Sequence, residues 1–168
     1  MELRRARPDE LGAIGDLTVR AYEGFTLGPD DPYVERLRDA AARDRGAELW
    51  VAVDDDRLLG SVTYCPPGSP WREIAREEEG EFRMLAVDPL SRGAGAGTAL
   101  AALCERRARA HGATGMALSS LARMTAAHRV YDRLGYDRDP ARDWSPLPDV
   151  HLLAFAKPLR DTSAPGQQ

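Results

Sequence analysis

Glu81-Phe82-Arg83-Met84-Leu85-Ala86-Val87-Asp88-Pro89-Leu90-Ser91-Arg92-Gly93-Ala94-Gly95-Ala96-Gly97-Thr98-Ala99-Leu100 decides the fold. Glu81 to Val87 reads as a mostly apolar strand, and Asp88-Pro89 stops it. Arg92 to Gly97 is a tight turn with alternating glycines. Ala99, Leu100, Leu103, Cys104 and Ala108 then recur at helical spacing, so a helix begins inside or just after the glycines. Strand, glycine turn and helix N-terminus in that order build an anion site. The missing side chains let backbone N–H groups approach a phosphate, and the helix dipole favours negative charge there.

Two nucleotide readings fail. A P-loop needs a lysine after its last glycine, and the only lysine of the chain is Lys157. A dinucleotide fingerprint needs Gly-x-Gly-x-x-Gly and an acid after the next strand. Here the glycines alternate, and Met116 to Ser120 offers no acid. What fits is Arg-x-x-Gly-x-Gly, preceded by Leu-Ala-Val-Asp-Pro. This resembles the acyl-CoA pyrophosphate loop of the GNAT superfamily of N-acetyltransferases. A second stretch, Ala127-His128-Arg129-Val130-Tyr131-Asp132-Arg133-Leu134-Gly135-Tyr136, resembles that superfamily's Ala-x-x-x-Tyr-x-x-x-Gly-aromatic signature. The likeness runs from about Glu2 to Pro158. One departure is Met124, where many members carry asparagine.

The resemblance implies a single-domain α/β fold over residues 1–159: a mixed central sheet flanked by helices, with residues 160–168 as a disordered tail. Its expected element order is strand, two helices, three strands, helix, strand, helix and two strands. The fourth and fifth strands are parallel and splay apart around the cofactor. It further implies that acetyl-CoA, as acetyl donor, is held by Arg92, Gly93, Ala94, Gly95, Ala96, Gly97 and Thr98. The strand edge at Leu85, Ala86 and Val87 pairs with the pantetheine amides and offers N–H groups to the carbonyl oxygen as it gains charge.

The implied reaction is acetyl transfer to a primary amine by direct attack in a ternary complex. A small-molecule acceptor is favoured over a peptide or protein. An alkylammonium has a pKa near 10, so its proton needs a route out at pH 7. Glu81, at the start of the central strand, is the expected base; Glu79, two residues earlier on the same face, competes with it. Tyr131 is expected to face the departing sulfur. A phenol near pKa 10 giving its proton to a thiolate near 8.5 is uphill by ~2 kcal/mol. A hydrogen bond to the thiolate, with transfer completed as sulfur leaves, is therefore the picture. An alternative reading is an acyl-CoA-binding sensor or interaction module without turnover.

The remaining segments fit one globular domain of 168 residues, 43% hydrophobic and 30% charged. Glu2 to Arg7 alternates as a first strand. Leu11, Ile14, Leu17, Thr18 and Ala21 mark a helix, and Tyr33 to Arg45 a second one. Leu49–Val53 and Leu58–Tyr64 form a hairpin around a turn of aspartates. Ser69 before Pro70 signals a short helix over Trp71–Glu79. Met116–Ser120 follows as a strand, parallel to the central one because a helix crossover separates them. Arg138 to Pro148 is a proline-rich loop bearing Trp144, and Val150–Lys157 is the last strand. His111-Gly112 closes the helix after the glycine turn.

Cys65 and Cys104 form neither a disulfide framework nor a metal site. No metal is expected. A net charge of −4 argues against nucleic acid as a partner. No stretch approaches a membrane span and no leader is evident, so the cytoplasm is the expected compartment. Monomer and homodimer both remain open. The acceptor pocket is expected among Tyr22–Tyr33, Cys65–Gly80 and Tyr136–Pro148, the least patterned segments.

Overall fold

The computed structural model describes residues 1–160; most of the expected tail, 161–168, lies outside them. The strands are β1 (Glu2–Arg5), β2 (Glu48–Asp54), β3 (Arg57–Cys65), β4 (Glu79–Val87), β5 (Gly115–Leu121), β6 (Asp137–Arg138), β7 (Trp144–Leu147) and β8 (Val150–Pro158). The helices are α1 (Leu11–Ala21), α2 (Pro32–Arg38), α3 (Ala40–Gly46), α4 (Ala96–Ala110) and α5 (Thr125–Leu134). They build one sheet in the order β1-β2-β3-β4-β5-β8-β6, with β7 on β8. Among these pairs only β4 and β5 run parallel. That is the mixed sheet the crossover helix demands.

Alternation along the strands supplies a core on each face. Tyr64, Phe82, Met116, Leu118 and Phe155 bury against Leu100, Cys104 and Ala108 of α4 and Tyr131 of α5. On the other face Leu49, Val51 and Val53 pack on Ile14 of α1 and Ala40 of α3. Thr18 Oγ1 and Ser61 Oγ meet at 3.5 Å within that second layer.

Four expectations need correction. The helix expected over Tyr33–Arg45 is two. Asp39, at φ −78° and ψ 69°, leaves the helical region, and its carboxylate caps the next helix by accepting from the Ala42 N–H at 2.9 Å. The helix expected over Trp71–Glu79 does not form. The N–H groups of Glu73, Ile74 and Ala75 turn instead onto Glu81, and the Ser69 hydroxyl donates to Gly46 O at 2.6 Å. Beyond α5 there are three strands rather than two, because Trp144–Leu147 pairs with β8 inside the proline-rich loop. The first strand also stops at Arg5, before the 3-10 turn at Pro8–Glu10.

Candidate active site

β4 carries an irregularity that its sequence does not announce. Ser61 pairs with Ala86 and Thr63 with Arg83, so β4 spends three residues where β3 spends two. Met84 absorbs the extra residue with φ at 51°, uncommon for a residue with a side chain. The bulge resets the alternation. Phe82 faces α4, Arg83 faces away, and yet Leu85 and Val87 return to the α4 layer, while Ala86 packs on Leu17 and Ala21 of α1.

The parallel pairing is short: Glu79↔Gly115, Gly80↔Met116 and Glu81↔Ala117. Beyond Glu81, β4 is bonded only to β3, and beyond Ala117, β5 only to β8. The two strands therefore part after Glu81 and Ala117, and the β4 edge that includes Leu85, Ala86 and Val87 is left to pair with something else.

At the far end of β4, Asp88 accepts the Leu90 N–H at 2.9 Å and pairs with Arg20 at 3.0 Å. The chain then turns through Arg92, Gly93, Ala94 and Gly95, all exposed, into α4. Gly93 and Gly95 have φ of 86° and 82°, which glycine adopts without strain. Ala99 N–H is the one that closes on Gly95 O, so those of Ala96, Gly97 and Thr98 belong to the open first turn, at the positive end of the helix dipole. The Thr98 hydroxyl accepts from Arg133 at 3.2 Å. The expected cofactor residues are thus brought together as one cradle at the mouth of the splay. A pyrophosphate fits its donor set: backbone N–H groups, no opposing carboxylate among these residues, and the exposed Arg92.

Glu81 and Phe82, adjacent on β4, look to opposite faces. Phe82 leads to Tyr131, with ring centroids 6.1 Å apart. Tyr131 is 4% exposed, packed also on Phe155 and Tyr136. Burial pushes its phenol up, despite help from the neighbouring Ser120 hydroxyl. Glu81 is fully buried. Its Oε2 accepts three consecutive N–H groups, from Glu73 at 3.0 Å, Ile74 at 3.1 Å and Ala75 at 3.0 Å. Its Oε1 has no partner among the described residues. One oxygen is fixed, and the other keeps its lone pairs.

Glu79 is held differently. Arg142 reaches its two oxygens at 2.6 and 3.1 Å, and the Arg76 N–H adds a bond at 2.9 Å. Burial raises its carboxyl, but the guanidinium and that N–H outweigh burial and hold it below the usual range. With both oxygens engaged, the structure leaves Glu79 little room to act as a base.

Several side chains here escaped sequence reasoning. Arg83, facing the same side as Glu81, pairs with Glu73 at 2.7 Å and lies over Trp71; burial pushes the Glu73 carboxyl up. The fully buried Arg43 donates to Thr63, Thr18 and Leu37 O, with no carboxylate accepting from it among the described residues. Burial pulls it down to about 10. Tyr22 and Tyr33 sit close to this group, their phenols raised by burial. Trp144 donates to Ser119 Oγ at 3.1 Å, and Arg142 also bonds Ile74 O at 3.3 Å, tying the β6–β7 connection to the Glu73–Ala75 segment. The three segments expected to line the acceptor pocket thus meet on this face. No spacing rule flags Arg43, Glu73 or Arg83, because long-range packing alone brings them together.

Residues 13–136 match the family model described as "Acetyltransferase (GNAT) family". The chain belongs to that family. A mycothiol acetyltransferase from Cellulomonas flavigena is 37% identical over 144 residues, covering 80% of this chain and 41% of the relative. The chain therefore spans less than half the length of that relative. Among solved structures, yncA from Salmonella typhimurium, determined with acetyl-CoA, superposes with a TM-score of 0.69 at 21% identity, covering 99% of this chain and 98% of the other. A ribosomal-protein-alanine N-acetyltransferase from Brucella melitensis gives 0.70 at 21% identity, covering 95% and 100%. At that identity the two structures speak for the fold.

Proposed function

We propose that this protein transfers the acetyl group of acetyl-CoA to the primary amine of a small molecule, in a ternary complex. The observation that carries the proposal is the parting of β4 and β5 after Glu81 and Ala117, which leaves β4 without a β5 partner over the stretch that leads to the glycine turn. In this reading an unpaired strand edge, a phosphate-binding turn and the buried Tyr131 serve one cofactor.

In this reading the cradle from Arg92 to Thr98 holds the pyrophosphate of acetyl-CoA, and the Leu85–Val87 edge receives the pantetheine amides. The amine approaches from the Glu81 face. Glu81 Oε1 takes its proton, directly or through water, while the nest of three N–H groups holds Oε2 in place. The free amine attacks the thioester carbonyl, whose oxygen gains charge beside the N–H groups of the bulged strand. As the C–S bond breaks, its electron pair goes to sulfur and the Tyr131 hydroxyl protonates the leaving thiolate, while the new amide nitrogen sheds its extra proton to water, from which Tyr131 regains its own. A small acceptor is favoured because segments from three parts of the chain enclose that face, with Glu81 and Arg43 fully buried beneath them. No helix among the described residues is long and apolar enough to cross a membrane. Two buried free cysteines suit a reducing compartment, and the cytoplasm is proposed on that ground.

Thiol release from acetyl-CoA across a panel of small amines, amino acids and peptides tests the proposal. Amine-dependent release with a small amine preferred is expected. Binding of acetyl-CoA with no release by any amine favours the module without turnover.

A further inference from the structure

Arg43 is a cation without a counter-charge. Its side chain is fully buried, and its terminal nitrogens donate to Thr63 Oγ1 at 3.2 Å, Thr18 Oγ1 at 3.4 Å and Leu37 O at 2.7 Å, all uncharged acceptors. Its Nε has no partner among the described residues. Burial pulls the guanidinium down to about 10, so it keeps its charge at pH 7. A buried charge without a counter-charge is costly, and an orphaned buried donor adds to that cost. Such a group calls for a partner from outside the chain.

Sheet register places that partner beside Glu81. Thr63, to which Arg43 donates, is the β3 residue opposite Arg83, and Cys65 is the one opposite Glu81. Residues directly opposite share a face, as do residues two apart on one strand. Thr63, Cys65, Glu81 and Arg83 therefore form one patch, with the Arg43 guanidinium laid on its Thr63 corner. Glu81 and Arg83 stand about 7 Å apart along β4. Glu81 is sealed as completely as Arg43, so an acceptor that reaches its free Oε1 has come to the depth of both. Arg83 is matched by Glu73 at 2.7 Å, and Glu81 is the partner for an ammonium. Arg43 is left over.

We infer that the acceptor is a free amino acid, whose carboxylate is received by Arg43 and Arg83 while its amine faces Glu81. The inference rests on the acetyl-transfer reading above and narrows its acceptor. A plain ammonium would pair with Glu81 and leave Arg43 without a counter-charge in the closed site. A zwitterion answers both at once. Arg43 offers its Nε–H to one carboxylate oxygen. Arg83, which meets Glu73 through Nε and donates to Trp71 O at 3.2 Å through Nη1, brings Nη2 for the second. The short span between amine and carboxylate suits neighbours two residues apart on a strand. A dipeptide holds its carboxylate a whole residue further from the amine. Arg43 and Arg83 are thus specificity residues, and the amine remains the group that attacks.

Matched acceptors test this in the unaltered protein. Thiol release from acetyl-CoA is measured with L-amino acids, their amides, their decarboxylated amines, and dipeptides. For the best amino acid, kcat/KM should exceed that of its amide and its decarboxylated amine about 100-fold, as a charged hydrogen bond in a sealed site allows. Equal rates, or a dipeptide preferred to its own N-terminal amino acid, overturn the inference and leave acetyl transfer standing. Arg83→Gln should erase the preference by raising KM for the amino acid toward that of the amide. Arg83→Lys, which keeps the charge, should restore part of it. A second measurement needs no turnover: the melting temperature with CoA bound, each amino acid set against its amide. An amino acid should raise it where the amide does not, and Arg43→Gln should lose that difference. If no amino acid raises it more than its amide, the carboxylate site is absent. If amino acids do raise it while no amine is acetylated, the proposed function fails and the carboxylate site stands.

Discussion

Arg142 grips Glu79 through both terminal nitrogens, at 2.6 and 3.1 Å, although 63 residues separate them. Both side chains are nearly buried, 13% and 10% exposed. The same guanidinium bonds Asp139 and Ile74 O, so one residue pins the segment whose N–H groups hold Glu81. Glu79→Gln should cost about 2 kcal/mol at pH 7, below the full loss from breaking a sealed ion pair. The carboxyl is depressed in the fold, so its stabilisation is complete above its unfolded pKa and fades as pH falls through the folded one. The gap in melting temperature between wild type and variant should therefore narrow below pH ~4.5. A gap that is constant from pH 7 to 3 rules out the ion pair as its source.

Gly95 occupies the last position before α4 with φ at 82°, and nothing lies within 4 Å of where its Cβ would be. Space is open there, so a side chain meets strain of roughly 1–2 kcal/mol rather than a clash. Acetyl-CoA should raise the melting temperature of the wild type, while ATP and NAD do little. Gly95→Glu should remain folded and lose that shift, its carboxylate standing where the proposed function puts the pyrophosphate. Gly95→Asn, which tolerates the left-handed conformation and adds no charge, should keep part of it. Full acetyl-CoA binding by the glutamate variant sinks the cradle assignment.

Tyr131→Phe keeps the rings of Phe82, Phe155 and Tyr136 packed and deletes one hydroxyl. A drop in kcat of ~10- to 100-fold is expected, with KM for acetyl-CoA and the melting temperature little changed. Intact activity would make Tyr131 a core residue and nothing more.

These residues also show what the sequence could reveal. The cradle and the α5 signature were legible because each is local: glycines that need positive φ, and a tyrosine four residues before a glycine in the left-handed conformation at 83°. The central strand was legible as an apolar run closed by Asp88-Pro89. Its bulge was not, since Met84 carries no turn signal and takes its strained φ from pairing with β3. The misread segment at Trp71–Glu79 follows the same logic. Ser69-Pro70 is a sound helix start, but three N–H groups bonded to Glu81 outbid helical bonding, and no helical spacing rule points to that carboxylate. Arg43, Glu73 and Arg83 became visible only once the sheet brought them to one face.

Glu81 presents the sharpest test, because the two oxygens of one carboxylate are held differently. Oε2 is the acceptor for the Glu73–Ala75 nest, and Oε1 is the free oxygen. Glu81→Gln preserves an oxygen for the nest and removes the proton acceptor. Its melting temperature and acetyl-CoA affinity should stay close to wild type, while the rate at pH 7 falls ~10²-fold or more. The rate should recover in part as pH rises toward the amine's own pKa, where solvent has already removed the proton. Glu81→Ala also empties the nest, leaving three N–H groups without an acceptor, and should cost about 3 kcal/mol or more of stability. Glu73→Gln is the needed companion, since the Glu73 carboxyl is raised by burial and shares the face. A rate loss in Glu73→Gln with none in Glu81→Gln would assign the base to the partner of Arg83. Glu81 would then serve only to hold the segment above it.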